Sequence, residues 1–325
     1  MRIGIIGLGN VSVMHINALI SKGETIVSLC DIEKEKCVCA NEKYNLECSI
    51  YENYLDMLDG EKLDSVHICT PHYLHCEMVC ACLDRNINVL CEKPLCISYE
   101  QLDKIEKSVK SSSGKLGVCF QNRYLETVKF AKEFFKDKKV TSGCASCFWM
   151  RDKAYYDSGE WRGKKETEGG GVMINQAIHS LDLLQYICGM PDKVTAYTSN
   201  ISLKDVIDVE DTAFGRFTFD GGNFIICATN SSSYTYSNKY MFHSDDDTLE
   251  IIENNVLVNG KPVLNKGYEF NHGKKAWGYG HEILISEFYD CLKTGKQFPI
   301  DFEEGSKAVK LVLAMYNSSG NEIKI

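Results

Sequence analysis

The sequence predicts an α/β fold in two parts, a parallel sheet followed by a largely antiparallel one. Up to residue 120, strand and helix patterns alternate, which is typical of a parallel sheet with helices on both faces. The predicted strands of this part are 2–6, 25–30, 47–50, 64–69, 87–91 and 115–120. Further strand runs then follow one long helix near 172–188; they are 194–202, 211–219, 223–230, 237–243, 248–252 and 256–258. We predict a first domain over 1–120 and an α+β domain over 121–325.

The first predicted strand leads into a glycine turn that is suited to a pyrophosphate. Gly7 permits a tight turn, Gly9 lets the backbone approach the phosphates, and the following helix supplies free N–H groups. Asn10 and Val11 complete this turn, and Ser12 stands where a third Gly or Ala is usual. The pattern predicts a Rossmann-type dinucleotide-binding domain.

Asp31 ends the second predicted strand, about 20 residues after the glycine turn. A dinucleotide fold places there the acid that binds the ribose hydroxyls of the adenosine. Ile32 and Glu33 offer no cation to receive a 2′-phosphate, so the sequence favours NAD over NADP. The alternative is that Asp31 caps the helix that begins near Glu33.

The composition limits which partners and which cellular location we expect for this protein. The 325 residues carry a net charge of −9 without a basic stripe, so we expect no nucleic acid partner. The apolar runs have the length of strands, and we expect neither a membrane span nor a signal peptide before the first core strand. The 16 cysteines lie within predicted strands and helices, which favours free buried thiols in a reducing cytoplasm.

Lys93 follows the fifth predicted strand, between Glu92 and Pro94. Because ligands of open parallel sheets bind beyond the carboxyl ends of the strands, we expect Lys93 near the cofactor. An ammonium group there can stabilise the charge of a developing alkoxide or relay a proton. The alternative is a surface lysine in a turn that Pro94 holds.

A second candidate follows the glycine triplet 169–171. In a helix, Asn175 and His179 lie one turn apart on one face, and Asp182 follows three residues later. Such a row offers a base, a group that orients the base and a polar contact for a substrate. The alternative is a core histidine, because most neighbouring positions are apolar.

Other polar groups are weaker candidates. The set His67, Cys69, His72, His75 and Cys76 has metal-ligating side chains, but a strand, a break and a new helix separate them. We interpret this segment as a loop beside the cofactor and predict no metal. Polar or aromatic side chains suited to a sugar occur at Gln121, Asn122, Arg123, Tyr124, Trp161, Arg162, Tyr279 and His281.

Together these segments resemble the Gfo/Idh/MocA family of sugar and polyol dehydrogenases. The resemblance rests on the glycine turn, Thr70-Pro71 with His75, Glu92-Lys93-Pro94, Gln121 to Tyr124, Trp161-Arg162, the glycine triplet with His179 and Asp182, and a C-terminal stretch from Gly280 to Tyr316. It implies a Rossmann domain, a second domain with an open and mainly antiparallel sheet, and a homodimer or homotetramer. It also implies hydride transfer between a nicotinamide and a sugar-like carbinol carbon.

The resemblance assigns roles to individual residues. It implies that Lys93 contacts the reacting hydroxyl and that His179 is the general acid/base. The expected substrate contacts are Arg123, Tyr124, Trp161, Arg162, Asn175 and His281. The expected cofactor contacts are Gly7, Gly9, Asn10, Val11, Asp31, Thr70, Pro71, His72, His75, Glu92, Lys93 and Gln121.

Asn175 departs from the family pattern, because many members have Asp at this position. Asn cannot accept a proton, so His179 or Lys93 must carry the transfer. Members similar to nucleotide-sugar oxidases also have Asn-Gln before the histidine, which hints at a nucleotide-sugar substrate. Two alternatives to a dehydrogenase stay open: a glycosidase that oxidises its sugar transiently with bound NAD, and a non-catalytic NAD-binding regulator.

Overall fold

The computed structural model describes residues 1–265 and 279–325, and the chain divides into two compact units. The first unit is Met1–Tyr124 with Glu269–Ser306, and the second is Leu125–Tyr268 with Lys307–Ile325. This division differs from a single boundary after residue 120. The two divisions differ because the helix over residues 280–294, although near the end of the chain, packs on the first helix and so belongs to the first unit. There, Lys22 Nζ donates to Ser286 Oγ and to Asp290 Oδ1, both at 2.8 Å.

Fifteen strands lie in the described residues. The first unit contains β1 (Arg2–Ile6), β2 (Thr25–Cys30), β3 (Ser49–Tyr51), β4 (Ser65–Ile68), β5 (Asn88–Glu92) and β6 (Leu116–Cys119). The second contains β7 (Ser142–Phe148), β8 (Lys193–Ser199), β9 (Thr212–Phe219), β10 (Gly222–Thr229), β11 (Lys239–His243), β12 (Thr248–Ile252), β13 (Asn255–Val258), β14 (Lys261–Asn265) and β15 (Ile323–Lys324).

Eleven α-helices lie in the described residues. They are α1 (Ser12–Lys22), α2 (Lys34–Lys43), α3 (Tyr54–Gly60), α4 (His75–Leu83), α5 (Tyr99–Ser111), α6 (Glu126–Phe134), α7 (Lys153–Asp157), α8 (Lys165–Glu168), α9 (Ile178–Cys188), α10 (Gly280–Thr294) and α11 (Phe302–Ser318). Within residues 1–265 and 279–325, no helix combines the length and the apolar character that crossing a membrane requires.

The first unit is built on a six-stranded parallel sheet in the order β3-β2-β1-β4-β5-β6. Every residue of β4 is buried, as expected for a central strand with helices on both faces. Every residue of the edge strand β6 is buried as well, and Val118 N–H on that strand donates to the Ile300 carbonyl at 2.9 Å. The predicted parallel Rossmann sheet is therefore confirmed. All the carboxyl ends of these strands meet at one edge of the sheet, which positions the loops that follow them.

The second unit contains a mixed sheet of nine described strands, in the order β14-β13-β12-β11-β7-β10-β9-β8-β15. Only β7 and β10 pair in parallel, and the other neighbours are antiparallel, as predicted. The sequence analysis missed β7, although it lies in the middle of the sheet. Its residues are Ser-Gly-Cys-Ala-Ser-Cys-Phe, which lack the β-branched side chains that mark a strand.

Candidate functional site

The glycine turn lies between β1 and α1 at the carboxyl edge of the parallel sheet. Gly7 has a φ of +88°, and a Cβ there would lie 2.7 Å from the backbone carbon of Cys69, so only glycine fits. A Cβ on Gly9 would meet nothing within 4 Å, so this part of the turn faces open space. Ser12 begins α1, and its hydroxyl donates to the Gly9 carbonyl at 2.7 Å. The turn thus combines a close backbone crossing with an open face at a helix N-terminus.

Asp31 lies just beyond β2 and faces this turn. Its Oδ2 accepts a hydrogen bond from the Leu8 backbone N–H at 2.7 Å, and its Oδ1 accepts one from Glu33 N–H at 3.0 Å. The second contact agrees with the capping alternative, because α2 begins at the next residue. The first contact ties the carboxylate to the glycine turn, which a cap alone does not require.

The loop after β4 is held by a buried histidine. His75 is fully buried, with Nδ1 at 2.7 Å from the Pro94 carbonyl oxygen and Nε2 at 2.9 Å from that of Thr70. Its ring therefore ties the Thr70 loop to the segment after β5. His72 is also buried, whereas Thr70 and Pro71 are half-buried.

Lys93 is half-buried at the end of β5. Its backbone N–H donates to Glu92 Oε2 at 3.2 Å, and the peptide bond to Pro94 is cis. Glu92 itself is buried, so this carboxylate holds the start of the loop from inside the unit. The backbone that carries Lys93 is therefore anchored on both sides, by Glu92 and by His75.

A chain of hydrogen bonds runs from Glu92 through the interior of the first unit. Glu92 Oε1 lies 3.1 Å from His15 Nε2 and 3.2 Å from His281 Nε2. A carboxylate only accepts, so both histidines donate from Nε2, and His15 Nδ1 then accepts from His67 Nδ1 at 2.7 Å. His67 Nε2 in turn accepts from the Tyr289 hydroxyl at 2.7 Å.

Electrostatics agree with this assignment of protons. Burial raises the pKa of Glu92, but the hydrogen bonds from His15 and His281 outweigh burial and hold that pKa well below its usual range. Burial lowers the pKa of His15 and of His67, which keeps both rings neutral. The ligand atoms of His15, Glu92 and His281 lie within 4.8 Å of one another, as in a metal site. Their hydrogen bonds account for this arrangement without an ion.

Three predicted contacts in the first unit occupy buried, paired positions. His281 is 1% exposed, its Nε2 donates to Glu92 Oε1 at 3.2 Å, and it lies in the first unit, whereas the sequence analysis assigned it to the second domain as a substrate contact. Arg123 is 5% exposed and pairs with Glu304 Oε2 at 3.1 Å. Tyr124 is buried, and burial together with a hydrogen bond to Glu287 raises the pKa of its phenol. Sequence spacing missed these roles because the partners lie far along the chain.

Gln121 is also buried in the first unit, but its side-chain oxygen is not paired with any described residue. A Cβ on Gly280 would lie 2.2 Å from the Gln121 carbonyl oxygen, so the glycine that begins α10 permits a close backbone approach. Gln121 Oε1 is buried and has no hydrogen-bond partner within residues 1–265 and 279–325. An orphaned acceptor near the carboxyl end of β6 suits a donor from a ligand.

Together these positions fit a dinucleotide. The open face over Gly9, the N–H groups that begin α1 and the carboxylate at Asp31 provide a phosphate cradle and a ribose acceptor. Gln121 adds an acceptor in the same unit. The residues that would hold NAD therefore belong to loops at one edge of the six-stranded sheet.

The second unit brings three predicted substrate contacts together around Tyr155. Arg162 Nη1 donates to the Tyr155 hydroxyl at 2.6 Å, and its guanidinium stacks on the rings of Tyr155 and Trp161 at 4.6 and 4.5 Å. Asn175 Nδ2 lies 3.3 Å from the same hydroxyl. Sequence analysis named Arg162, Trp161 and Asn175, but it missed Tyr155, which has no motif of its own.

Two buried carboxylates, also missed, lie behind this group. Glu168 is 1% exposed and accepts hydrogen bonds from the Gly163 backbone N–H and from Asn175 Nδ2. Burial raises its pKa to about 7, although these two hydrogen bonds and Arg162 act in the opposite direction. The structure thus places a carboxylate beside Asn175, where the sequence has none at position 175 itself.

Glu210 is the second of these carboxylates, and it holds the start of the helical segment. It accepts from the Gly171 N–H at 2.8 Å, from the Met173 N–H at 3.0 Å and from the Tyr316 hydroxyl at 2.8 Å. Burial raises its pKa against these bonds. A carboxylate at a helix N-terminus satisfies backbone donors that would otherwise be orphaned.

His179 is half-buried near the start of α9. Residues Met173–Ala177 form a π-helical turn before it, so Asn175 and His179 are not joined by the regular α-helix that the sequence predicts. Such turns occur often at functional sites. Asp182 is 1% exposed, and its Oδ1 accepts a hydrogen bond from Gln185 Nε2 at 3.4 Å.

Two family models match the chain. A model described as an oxidoreductase family with an NAD-binding Rossmann fold matches residues 1–120. A model of the GFO/IDH/MocA C-terminal domain matches residues 139–252. Together they span more than half of the 325 residues and agree with the parallel and mixed sheets described above.

Individual curated proteins are identical to this chain at about a quarter of the aligned positions. The chain is 26% identical over 190 residues to myo-inositol 2-dehydrogenase of Thermotoga maritima, which covers 58% of this chain and 55% of the relative. It is 26% identical over 246 residues to D-glucoside 3-dehydrogenase of Escherichia coli, which covers 69% and 68%. The alignment with the first relative thus spans about half of that relative's length.

A solved structure shows the same fold over the whole chain. The WlbA dehydrogenase from Bordetella pertussis, in complex with NADH and UDP-GlcNAcA, matches with a TM-score of 0.87 and 24% identity. The match covers 100% of this chain and 98% of that chain. The two family models span more than half of the chain, and together with the geometry of the glycine turn they lead to one conclusion: the chain belongs to the Gfo/Idh/MocA oxidoreductase family.

Proposed function

We propose that the chain transfers a hydride between NAD and a carbinol carbon of a sugar, a sugar derivative or a cyclic polyol. The observation that carries this proposal is the common location of the glycine turn, Asp31 and Lys93 beyond the carboxyl ends of β1, β2 and β5. When bound, the nicotinamide supplies the hydride acceptor or donor. The side chains supply binding, orientation and proton transfer.

Lys93 is proposed to contact the reacting hydroxyl. Its backbone is anchored by Glu92, and the neighbouring Pro94 carbonyl binds the buried ring of His75. The anchored backbone fixes the point from which the Lys93 side chain extends, and an ammonium group there can stabilise a developing alkoxide. This anchoring supports a catalytic position for Lys93 over the alternative of an ordinary turn.

His179 is proposed as the general acid/base. It is half-buried and follows a π-helical turn whose start is held by Glu210. An imidazole can accept a proton near neutral pH, whereas Asn175 cannot. Asn175, Arg162 and Trp161 are proposed to bind the substrate, because the structure gathers them around Tyr155.

NAD is the proposed cofactor in preference to NADP. Asp31 lies beside the glycine turn, and a carboxylate there repels a 2′-phosphate. All 16 cysteines are free thiols and ten of them are buried, which fits the proposed cytoplasmic location.

We also propose a homodimer or homotetramer that uses one face of the mixed sheet. Tyr197, Phe214 and Ile225 are 50%, 51% and 47% exposed on neighbouring strands β8, β9 and β10. The rings of Tyr197 and Phe214 stack at 5.0 Å. Exposed apolar patches of this kind mark interaction surfaces, and sedimentation of the purified protein at several concentrations measures the oligomeric state.

The activity is tested with Lys93→Ala. We expect the variant to shift NADH fluorescence as the wild type does and to lose turnover by about 100-fold or more. Substrates are screened by NADH formation or consumption with neutral sugars, sugar acids and inositols. Lys107→Ala, an exposed position on α5, is the matched control.

Wild-type turnover by Lys93→Ala would refute the catalytic assignment. Release of a free sugar from a glycoside without net change in NADH would instead indicate the glycosidase alternative. Binding of NADH without reduction of bound NAD by any substrate would indicate the non-catalytic regulator.

A further inference from the structure

Two arginines of the second unit lie against the ring of Tyr155. The guanidinium carbon of Arg151 lies 4.4 Å from the ring centroid, and that of Arg162 lies 4.6 Å from it. Arg151 also stacks on Trp149 at 4.9 Å, and Arg162 on Trp161 at 4.5 Å. These aromatic contacts hold both planar groups in fixed orientations at half-buried positions.

Each guanidinium uses only one side of its donor set. Arg151 Nη1 donates to the Met150 carbonyl at 2.8 Å, and Arg162 Nη1 donates to the Tyr155 hydroxyl at 2.6 Å. The Nε of each is buried and has no hydrogen-bond partner within the described residues. Nη2 of each arginine also forms no hydrogen bond within the described residues, and guanidinium donors of this kind bind the oxygens of a carboxylate or a phosphate.

The charged groups around Arg151 and Arg162 leave both guanidinium groups able to bind an anion. Within residues 1–265 and 279–325, neither arginine forms an ion pair with a carboxylate. Glu168 is the buried acid that Arg162 influences, and its oxygens already accept from Gly163 N–H and Asn175 Nδ2. A buried donor without a partner is costly, so two such donors beside one ring indicate a site that is completed by a ligand.

We propose that Arg151 and Arg162 form an anion subsite that binds the carboxylate or phosphate group of the substrate, which is therefore an acidic or phosphorylated sugar. This inference rests on the proposed function, because it takes the ligand to be a sugar. The subsite adjoins Asn175 through the Tyr155 hydroxyl, which Arg162 and Asn175 share at 2.6 and 3.3 Å. Asn175 lies four residues before His179 in the chain.

Calorimetric titration of the full chain with NADH present tests the subsite. The probes are D-glucuronate, D-glucose 1-phosphate and neutral D-glucose at constant ionic strength. We expect one of the two anionic sugars to bind at least about 10-fold more tightly than glucose. The preferred probe separates a carboxylate subsite from a phosphate subsite, and equal affinity of all three sugars would overturn the proposal.

The double variant Arg151→Gln/Arg162→Gln removes both guanidinium groups. We expect it to lower the affinity for the preferred anionic sugar at least about 10-fold, to the level of glucose. The control Lys164→Gln/Lys165→Gln changes the net charge equally at exposed positions nearby and is expected to stay within about two-fold of wild type. Equal losses in both double variants would show a general charge effect and refute the subsite.

NADH fluorescence and thermal unfolding separate the possible failures. If the double arginine variant unfolds cooperatively and binds NADH as the wild type does, it has kept its fold. If such a variant also keeps its affinity for the anionic sugar, the subsite is refuted and the proposed function is not. Absence of NADH binding by the wild-type protein would instead refute the proposed function.

Discussion

Replacing Glu168 by glutamine tests whether the buried carboxyl beside Asn175 takes up a proton on folding. The ordinary pKa of this group is 4.5, and burial in the second unit raises it to about 7. Between these two values the folded protein holds a proton that the unfolded chain has lost. Wild-type stability therefore falls as the pH rises from about 4.5 to about 7.

The size of this change in stability follows from the shift in the pKa of Glu168. Each pKa unit corresponds to 1.36 kcal/mol, so ionisation of Glu168 costs the folded state about 3 kcal/mol above pH 7. Glu168→Gln has no such titration. The free energy of unfolding of the variant minus that of the wild type should thus increase by about 2 to 3 kcal/mol between pH 5 and pH 8.

Urea unfolding at pH 5, 6, 7 and 8, at one ionic strength, measures this difference. The absolute stability of the variant does not decide the matter, because a glutamine presents an amide to the donors Gly163 N–H and Asn175 Nδ2 and loses one hydrogen bond. Glu210 is present in both proteins, and its charge also raises the pKa of Glu168, so the electrostatic interaction of the two carboxyls is part of the measured difference. Glu166→Gln, an exposed change on the same short helix, is the control.

A difference between variant and wild type that stays constant from pH 5 to pH 8 would refute the reasoning. It would mean that the hydrogen bonds from Gly163 and Asn175, together with Arg162, keep Glu168 ionised in the folded protein. A parallel slope for Glu166→Gln would show that the effect is not specific to the buried position.

Three further predictions concern other parts of the chain. His179→Gln should lower kcat by about 100-fold or more while NADH still binds, and an unchanged pH profile of kcat would argue against a proton-transfer role. Asp31→Ser should improve binding of NADPH relative to NADH by about 10-fold in fluorescence titrations, and an unchanged ratio would leave only the capping role. Gly171→Ala should destabilise the protein by about 3 kcal/mol or more in urea unfolding, because its Cβ would lie 1.9 Å from the Glu210 carbonyl oxygen. Wild-type stability of that variant would show that the backbone relaxes freely there.

Local patterns predicted much of the fold. The runs 2–6 and 25–30 coincide with β1 and β2, because buried parallel strands are short apolar segments and glycine ends the first of them. Ser98-Tyr99-Glu100-Gln101 has the spacing of a capping box, and the Ser98 hydroxyl accepts from the Gln101 N–H at 3.2 Å where α5 begins. β7 escaped prediction, because a strand of small residues gains its stability from neighbours on both sides of the sheet.

The sequence by itself determined the glycine turn, the acid at Asp31 and the positions of Lys93 and His179 along the chain, since each follows from local order and spacing. Only the tertiary structure decided which polar groups meet. It buried His281 against Glu92, 189 residues away, and paired Arg123 with Glu304, 181 residues away. It also placed Glu168 beside Asn175 and Arg151 beside Tyr155. Burial and charge pairing depend on distances in space, which local sequence patterns do not encode.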